Sequence, residues 1–354
     1  MTAHAPAEQS VLSLARTPLP KARSPWLISP GFDLLMVANV YWPLLILLSW
    51  AAHSALQSID VWLAYLLITP HRWMTLVIVF GDHDRYAERP RAFLGLAVAL
   101  ATVVAVNAVA VPTLTLLLVI DFVWNAWHFS AQHAGIARIY SRLARPTDLS
   151  WVTAEKYLLR TFCLYVIFRL GAPLMAADRS QWFGWLDAVV PLMTHTDLPM
   201  MVIPLLLLAR EIVKFTPLAK GRLIYLGSVL SLYGGTLLAA HFATHRDGPN
   251  VLLGGLLVSL TAFHSLEYLA IVTWSVGKRY GNPDVGRGPM TTFARRWWVF
   301  LLVFLGSLGL GAFLLEKNFI REWFLVNMLV SFLHYAYDGL IWKAKPPTVR
   351  PSVS

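Results

Sequence analysis

The chain has 354 residues, of which 57% are hydrophobic and only 14% are charged. Soluble domains carry about a quarter charged residues, so this composition excludes an ordinary soluble fold and indicates a polytopic membrane protein. The net charge of +10 does not indicate a nucleic-acid partner, because the basic residues form short clusters between apolar runs. Cys163 is the one cysteine, which excludes an internal disulfide and a thiolate metal site.

Ten apolar runs approach the roughly 20 residues that are needed to cross a bilayer. They centre on Leu34–Ala52, Val61–Phe80, Ala92–Val111, Thr113–Ile136, Tyr157–Leu174, Met200–Val213, Leu223–Ala243, Val251–Trp274, Trp297–Leu315 and Trp323–Trp342. We therefore predict an all-α integral membrane bundle of about ten helices in residues 31–343. Residues 1–30 are expected to form a disordered cytoplasmic tail, and residues 344–354 a second cytoplasmic tail.

Two stretches between these runs are expected to differ from transmembrane helices. Ala176–Pro199 contains several aromatic residues and fits an amphipathic helix that lies on the outer face of the membrane. Gly277–Arg296 is rich in glycine, proline and arginine, and we expect an irregular loop there.

The distribution of basic residues gives an independent prediction of topology. With both termini inside, only four of the 29 basic residues fall on outer segments, and two more, Arg72 and Arg169, fall within spans. The remaining 23 then lie on cytoplasmic segments, as the positive-inside rule requires. This asymmetry predicts cytoplasmic termini and a multi-pass location in a bacterial-type inner membrane.

Two of the predicted helices carry polar stripes with identical spacing. Both stripes place four polar residues at offsets of four, seven and eleven, which lie on one face of a helix. The first stripe is Asp121, Asn125, His128 and Gln132, and the second is Asn327, Ser331, His334 and Asp338. Lipid cannot satisfy such side chains, so both stripes are expected to face the interior of the protein.

Four histidines fall at one predicted depth in the membrane. His71, His128, His264 and His334 each follow an outer helix boundary by a similar number of residues, on four helices that run in the same direction. Imidazole is the commonest metal ligand in proteins, and burial of several imidazoles is costly unless something binds them. His133 lies roughly 140° around the helix from His128, so the two cannot both point at one atom.

These residues predict a metal site in the bundle core. The expected metal ligands are His71, His128, His264, His334 and Asp338, and the expected catalytic or orienting residues are Glu267, Tyr268, Gln132 and Asn125. A set of nitrogen and oxygen ligands without sulfur suits non-haem Fe(II), with Zn or Mn as alternatives. The predicted function is an oxygenase that uses O2 on a lipophilic substrate reaching it through the bilayer, with an electron-donor protein as a further expected partner.

Other interpretations of the buried histidines stay open. A path lined by His, Asp and Glu would suit a proton- or cation-coupled transporter. A haem held by two histidines, or histidines that only link helices by hydrogen bonds, would use the same residue types.

The four histidine motifs resemble those of the membrane β-carotene 15,15′-dioxygenases of the bacteriorhodopsin-related-protein type. The matching residues are Pro70-His71, His128-Phe129, His264-Ser265-x-x-Tyr268, and His334 with Asp338. Tyr268 stands where that family has a histidine ligand. The resemblance implies Fe(II) held by histidines and oxidative cleavage of a carotenoid to retinal.

Overall fold

The computed structural model describes residues 24–51, 62, 64–111, 113–144, 149–177, 186–243, 251–280 and 289–342. Within these ranges the chain is helical apart from short connections, and none of the described residues forms a strand. The predicted all-α class is therefore confirmed for them. The predicted tails 1–30 and 344–354 lie outside the described residues, except for residues 24–30.

The helices of the first half are α1, α2, α3, α4, α5, α6 and α7. In that order they span Pro30–Phe32, Trp42–Ala51, Thr69–Gly81, His83–Glu88, Pro90–Ala110, Thr115–Ala144 and Leu149–Ala177. Two π-helical turns, Asp33–Val37 and Ala64–Ile68, follow α1 and precede α3, respectively.

The second half contains α8, α9, α10, α11, α12, α13 and α14. They span Leu186–Met200, Val202–Val213, Lys220–Ala243, Val251–Tyr280, Pro289–Arg295, Trp297–Asn318 and Ile320–Ile341. A short 3-10 turn, Pro217–Ala219, leads into α10.

Seven stretches of the described residues are long and apolar enough to cross a membrane. They are Ala64–Gly81, Pro90–Ala110, Ala188–Val213, Pro217–Ala243, Leu252–Tyr280, Trp297–Asn318 and Ile320–Ile341. A bent pair of helices, Pro30–Val37 and Trp42–Leu48, makes an eighth if it counts as one span. The long helices α6 and α7 are not among these candidates, and the polar stripe of α6 lowers its mean hydropathy. The ten predicted spans therefore stay a prediction.

Two of the sequence expectations differ from the structure. The stretch that was expected to lie on the outer face contains most of α8, and α8 together with α9 is long and apolar enough to form one candidate span, Ala188–Val213. Asp197 interrupts this span in the sequence, but Arg169 neutralises it through bonds of 3.0–3.1 Å. The expected loop after Gly277 begins later, because α11 continues to Tyr280, and the loop also contains α12.

Buried ion pairs hold the helices together at both ends of the bundle. Arg222 at the start of α10 contacts Glu155 of α7, and it also lies 2.9 Å from Glu211 of α9. A cation between two buried carboxylates fixes the relative position of three helices, since breaking such a pair costs about 3–5 kcal/mol. Arg169 and Asp197 join α7 to α8 in the same way.

Residues 24–29, which the sequence assigned to a disordered tail, fold back onto the bundle. The Asp33 carboxylate accepts the amides of Leu27 and Ile28 at 2.6 and 3.1 Å, and the Tyr140 hydroxyl at 2.8 Å. These three bonds satisfy a carboxylate that is almost fully buried.

Asp82 organises the end of α3, just outside the candidate span. It caps α4 by accepting the amide of Arg85, and it accepts from Tyr280 and Arg279 of α11. Burial by itself would raise the pKa of Asp82, but the hydrogen bonds from Tyr280 and Arg279 outweigh it and hold the pKa below its usual value.

Candidate metal centre

The four histidines at the predicted common depth meet in the interior of the bundle. They come from α3, α6, α11 and α14, and each is between 0% and 8% exposed. The ring centroids of His128 and His334 lie 4.5 Å apart, and those of His71 and His264 lie 5.3 Å apart. His71 is 5.1 Å from His334, and His128 is 5.1 Å from His264. Every ring therefore has two neighbours, and the four form a closed cluster.

Nitrogen atoms of this cluster face one another at distances that suit a shared ion. The Nε2 atoms of His128 and His334 lie 3.0 Å apart. Two nitrogens at about 2.1 Å from one ion, at a right angle, are also about 3.0 Å apart. One ligand atom each from His71, His264 and His334 also lies within 4.8 Å of the others, so three helices can reach a common point.

His264 is the least satisfied residue of the cluster. It is fully buried, yet neither ring nitrogen has a hydrogen-bond partner among the described residues. Its ring stacks on Phe129 with centroids 3.6 Å apart and planes 13° apart, which fixes its orientation. A buried unpaired polar group costs about 1–3 kcal/mol, so a binding partner for this ring would remove a real penalty.

The backbone fixes the Nδ1 atom of His71. Its Nδ1 lies 3.2 Å from the carbonyl oxygen of Leu67. The π-helical turn that ends at Ile68, followed by Pro70 in the first turn of α3, places the ring at this point. With Nδ1 bonded to a carbonyl, Nε2 carries the free lone pair, as in ligating histidines generally.

Thr75 fixes His334 in a comparable way. Its hydroxyl oxygen lies 2.6 Å from Nδ1 of His334 and donates to Oδ1 of Asp338 at 3.2 Å. Tyr268 donates to the same carboxylate oxygen at 3.1 Å and lies 2.5 Å from the hydroxyl of Thr75. This network holds a proton on Nδ1 of His334 and leaves Nε2 free to face His128.

Asp338 lies at the edge of the cluster. Its Oδ2 is 3.9 Å from Nε2 of His128 and 3.8 Å from Nδ1 of His334, so these three residues form a second group of possible ligands. Its Oδ1 is already engaged by Thr75 and Tyr268. The carboxylate is therefore placed to orient His334, and its Oδ2 atom remains close to the ring nitrogens of His128 and His334.

Glu267 and Gln132 belong to a neighbouring polar cluster. The Glu267 carboxylate accepts from the Tyr225 hydroxyl and from the Gln132 amide at 2.7 Å, and it lies 3.2 Å from Nδ1 of His133. Nε2 of His133 lies 3.1 Å from the hydroxyl of Tyr233. His133 thus has partners other than those of His128, which agrees with the prediction that the two rings do not point at one atom.

Gln132 connects the two clusters. Its amide donates to the backbone carbonyl of His264 at 3.0 Å as well as to Glu267, and its own carbonyl oxygen is buried without a partner among the described residues. Gln132 thus holds the backbone at His264, and its side-chain carbonyl oxygen stays available as an acceptor.

Asn125 lies above the four rings, next to Tyr335. The hydroxyl of Tyr335 donates to Asn125 at 3.0 Å and to Asp121 at 3.1 Å. Arg72 donates to the hydroxyl of Ser331 at 2.6 Å. Both polar stripes therefore make hydrogen bonds inside the protein.

Sequence reasoning missed several residues of these clusters, chiefly Thr75, Tyr225, Tyr233 and Tyr335. Thr75 follows His71 by four residues, so helical spacing could have placed it beside the predicted ligands. Tyr225 and Tyr233 carry no such signal, because their partner His133 lies on another helix.

Comparisons of the chain with family models, with curated proteins and with solved structures found no match.

Proposed function

We propose that this chain is a membrane-embedded, histidine-ligated metalloenzyme, and that it is an oxygenase with a non-haem iron centre. One observation carries the proposal: four buried imidazoles from four helices form a closed cluster in which His264 has no hydrogen-bond partner among the residues that the structure describes. Without an occupant, this arrangement would keep an uncompensated polar ring in the core, which folding does not favour.

The donor set fits such a metal. His71, His128, His264 and His334 would hold it, with Asp338 as a further ligand or as the residue that orients His334. Imidazole and carboxylate donors without sulfur suit Fe(II), and also Zn or Mn. Iron bound here would supply the one-electron chemistry that O2 needs before it reacts with an organic molecule.

The surrounding residues have separate tasks in this proposal. Thr75 and Tyr268 hold the proton on Nδ1 of His334, and Phe129 fixes the plane of His264. Gln132 offers a free amide oxygen to a hydroxyl group or to water near His264. Tyr268 and Glu267 are the proposed catalytic groups for moving a proton.

The substrate class follows from the location of the cluster. The four rings lie in a bundle with at least seven apolar candidate spans, so a substrate that dissolves in the bilayer reaches them more readily than a polar one. Carotenoids, other isoprenoids and acyl lipids are the proposed substrates, and polyenes come first because of the motif resemblance.

The test is oxygen consumption by the purified protein, loaded anaerobically with Fe(II) and supplied with β-carotene in detergent. We expect O2 uptake with the appearance of an aldehyde product in the wild-type protein, and neither in His264→Phe. His195→Ala, which changes an exposed histidine, is the control and is expected to keep activity.

The transporter alternative gives the opposite pattern in this experiment. Protein without O2 uptake on any polyene or acyl lipid, but with proton-coupled cation uptake in proteoliposomes, would reject the oxygenase proposal. The variant His264→Phe would then abolish uptake instead.

A further inference from the structure

A cleft at one end of the bundle lies apart from the histidine cluster. It has a volume of about 660 Å³ and opens between the last turns of α11, the junction of α12 and α13, and the N-terminal segment at Leu27 and Ile28. This is the end of the bundle that carries most of the described basic residues and is predicted to face the cytoplasm. The metal proposal uses none of its residues.

Cations and tryptophans dominate the lining. Lys278 and Arg295 are exposed in the cleft, and Trp274, Trp297 and Trp298 line it with them. None of the described residues that line it is acidic. The cleft therefore combines positive charge with large amphipathic surfaces, which lipids at a membrane interface require.

Two separate contacts fix side chains in the wall of the cleft. The Lys278 ammonium lies 5.1 Å from the centre of the Trp274 ring, a cation–π contact that directs it along the wall. The Trp297 indole donates to the Thr273 hydroxyl at 3.0 Å. Trp298 is 53% exposed, so one indole remains free to contact a ligand.

The apolar wall is also held rigidly. Leu27 and Ile28 line the cleft, and their amides are bound by the buried carboxylate of Asp33. Phe32 makes an edge contact with Trp298 at 6.1 Å. The nearby negative charge of Asp82 is compensated by Arg279 at 2.6 Å, so it does not cancel the cations of the cleft.

We infer that this cleft binds an anionic phospholipid. The phosphodiester would lie between Lys278 and Arg295, the glycerol backbone against Trp298, and the first part of an acyl chain along Leu27 and Ile28. Charge complementarity selects an anion, and the apolar wall selects a lipid over a free phosphate. The volume exceeds what a phosphate group alone would fill.

The experiment counts lipids that the detergent-purified full chain retains in native mass spectrometry, with phosphatidylglycerol and phosphatidylcholine titrated separately. We expect one phosphatidylglycerol to bind at least tenfold more tightly than phosphatidylcholine. The double variant Lys278→Gln, Arg295→Gln should lose this preference, since each cation near a lipid surface contributes a several-fold change in affinity at low salt.

The matched control is the double variant Lys317→Gln, Arg321→Gln, which changes the last turn of α13 and the first turn of α14. Lys317 lies 4.5 Å from the centre of the Phe313 ring, so it repeats the lysine and aromatic pairing outside the cleft. This control should keep the preference. Melting temperatures in phosphatidylcholine alone establish that both variants fold.

Three results would overturn the inference. The first is equal affinity of the wild-type protein for the two lipids. The second is an equal loss in both double variants, which would indicate only a general interfacial charge effect. The third is competition by soluble glycerophosphate at the same concentration as the lipid, which would indicate a free-anion site. Because Lys278 and Arg295 lie outside the histidine cluster, none of these results would affect the oxygenase proposal.

Discussion

The Nε2 atoms of His128 and His334 lie 3.0 Å apart at the centre of the bundle. A simple hydrogen bond between two neutral imidazoles gives this distance, and so do two ligands of one ion. Thr75 engages the other nitrogen of His334, and a third ring, His264, lies alongside with no hydrogen-bond partner in the described part of the chain. A shared ion would account for all three observations together, and variants of the surrounding residues separate it from a simple hydrogen bond.

His264→Phe should have opposite effects on stability with and without metal. In metal-free protein the change removes a buried ring with two unpaired nitrogens, so we expect the free energy of unfolding to rise by about 1–3 kcal/mol. In metal-loaded protein it removes a ligand, so stability should fall below that of the loaded wild type. Thermal unfolding with and without chelator measures both effects.

His133→Phe is the matched control for this experiment. His133 is equally buried, but Tyr225, Tyr233 and Glu267 all contact its nitrogens. This variant should be less stable in both states. If His264→Phe behaved in the same way as His133→Phe, His264 would be a structural residue and not a ligand.

Thr75→Val should weaken metal binding while the chain stays folded. The change keeps the shape of the side chain but removes the hydroxyl that connects His334 with Asp338 and Tyr268. Loss of a residue that orients a ligand lowers metal affinity by about 10–100-fold. Competition with a chromogenic chelator measures the affinity, and Thr75→Ser should restore most of it.

Thr236→Val provides the comparison for a buried threonine hydroxyl. Thr236 donates only to the carbonyl of Leu232 in its own helix, at 2.7 Å. Its replacement should leave metal affinity unchanged. An equal loss of affinity in Thr236→Val and Thr75→Val would count against a specific role for Thr75.

Glu267→Gln should lower stability without removing the metal. The carboxylate accepts from Tyr225 and Gln132, and an amide at this position would turn a donor towards one of them. We expect a loss of about 1–3 kcal/mol, the cost of leaving one buried hydrogen-bonding group without a partner. Metal content should stay at the wild-type level, whereas Asp338→Asn should lower metal affinity. Loss of the metal in Glu267→Gln would instead make Glu267 a ligand.

Asp82→Asn should destabilise the protein most at neutral pH. The pKa of Asp82 is held below its usual value, so the folded state gains stability from the ionised form above the unfolded pKa of about 4. This gain is lost as the pH falls through the folded pKa. The difference in melting temperature between wild type and variant should therefore stay constant above about pH 5 and shrink as the pH falls below it, towards the folded pKa. A difference that does not change with pH would show that the charge of Asp82 contributes nothing.

Lys278→Cys and Lys317→Cys should be labelled from opposite sides of the membrane. Both positions are exposed, and α13 lies between them. Native Cys163 is completely buried and should stay unlabelled in folded protein. A membrane-impermeant maleimide should reach position 317 in intact cells and position 278 only in inverted vesicles. Labelling of both from one side would reject α13 as a membrane span.

Helical spacing and predicted depth together identified the four histidines that meet at the centre of the bundle. His128 and His334 each belong to a stripe whose offsets define one face, and that face must be interior because lipid cannot satisfy it. Depth then places His71 and His264 at the same level. This reasoning depends only on rise per residue and on polarity.

The rotation of each helix about its axis, and the hydrogen-bond partner of each buried side chain, could not be derived from spacing and depth. Tyr225 contacts His133 across 92 positions of sequence, and no spacing rule relates two helices at that separation. Glu267 follows His264 by one helical turn, yet it turns towards Gln132 and Tyr225 because their donors are there.

The candidate span Ala188–Val213 was also difficult to recognise in the sequence. The aromatic residues of Ala176–Pro199 made this stretch look interfacial. The Asp197 carboxylate is compatible with a helix in the bilayer because Arg169, 28 positions earlier, and Tyr165 donate hydrogen bonds to it.

The most direct test of the account is metal analysis of the purified full-length chain combined with X-ray absorption at the metal edge. We expect a stoichiometric metal, iron in the native protein, with nitrogen neighbours at about 2.1 Å and the outer scattering pattern of several imidazoles. That signal should disappear in His264→Phe. Metal-free protein that remains folded and active, or a bound metal whose environment is the same in His264→Phe, would contradict it.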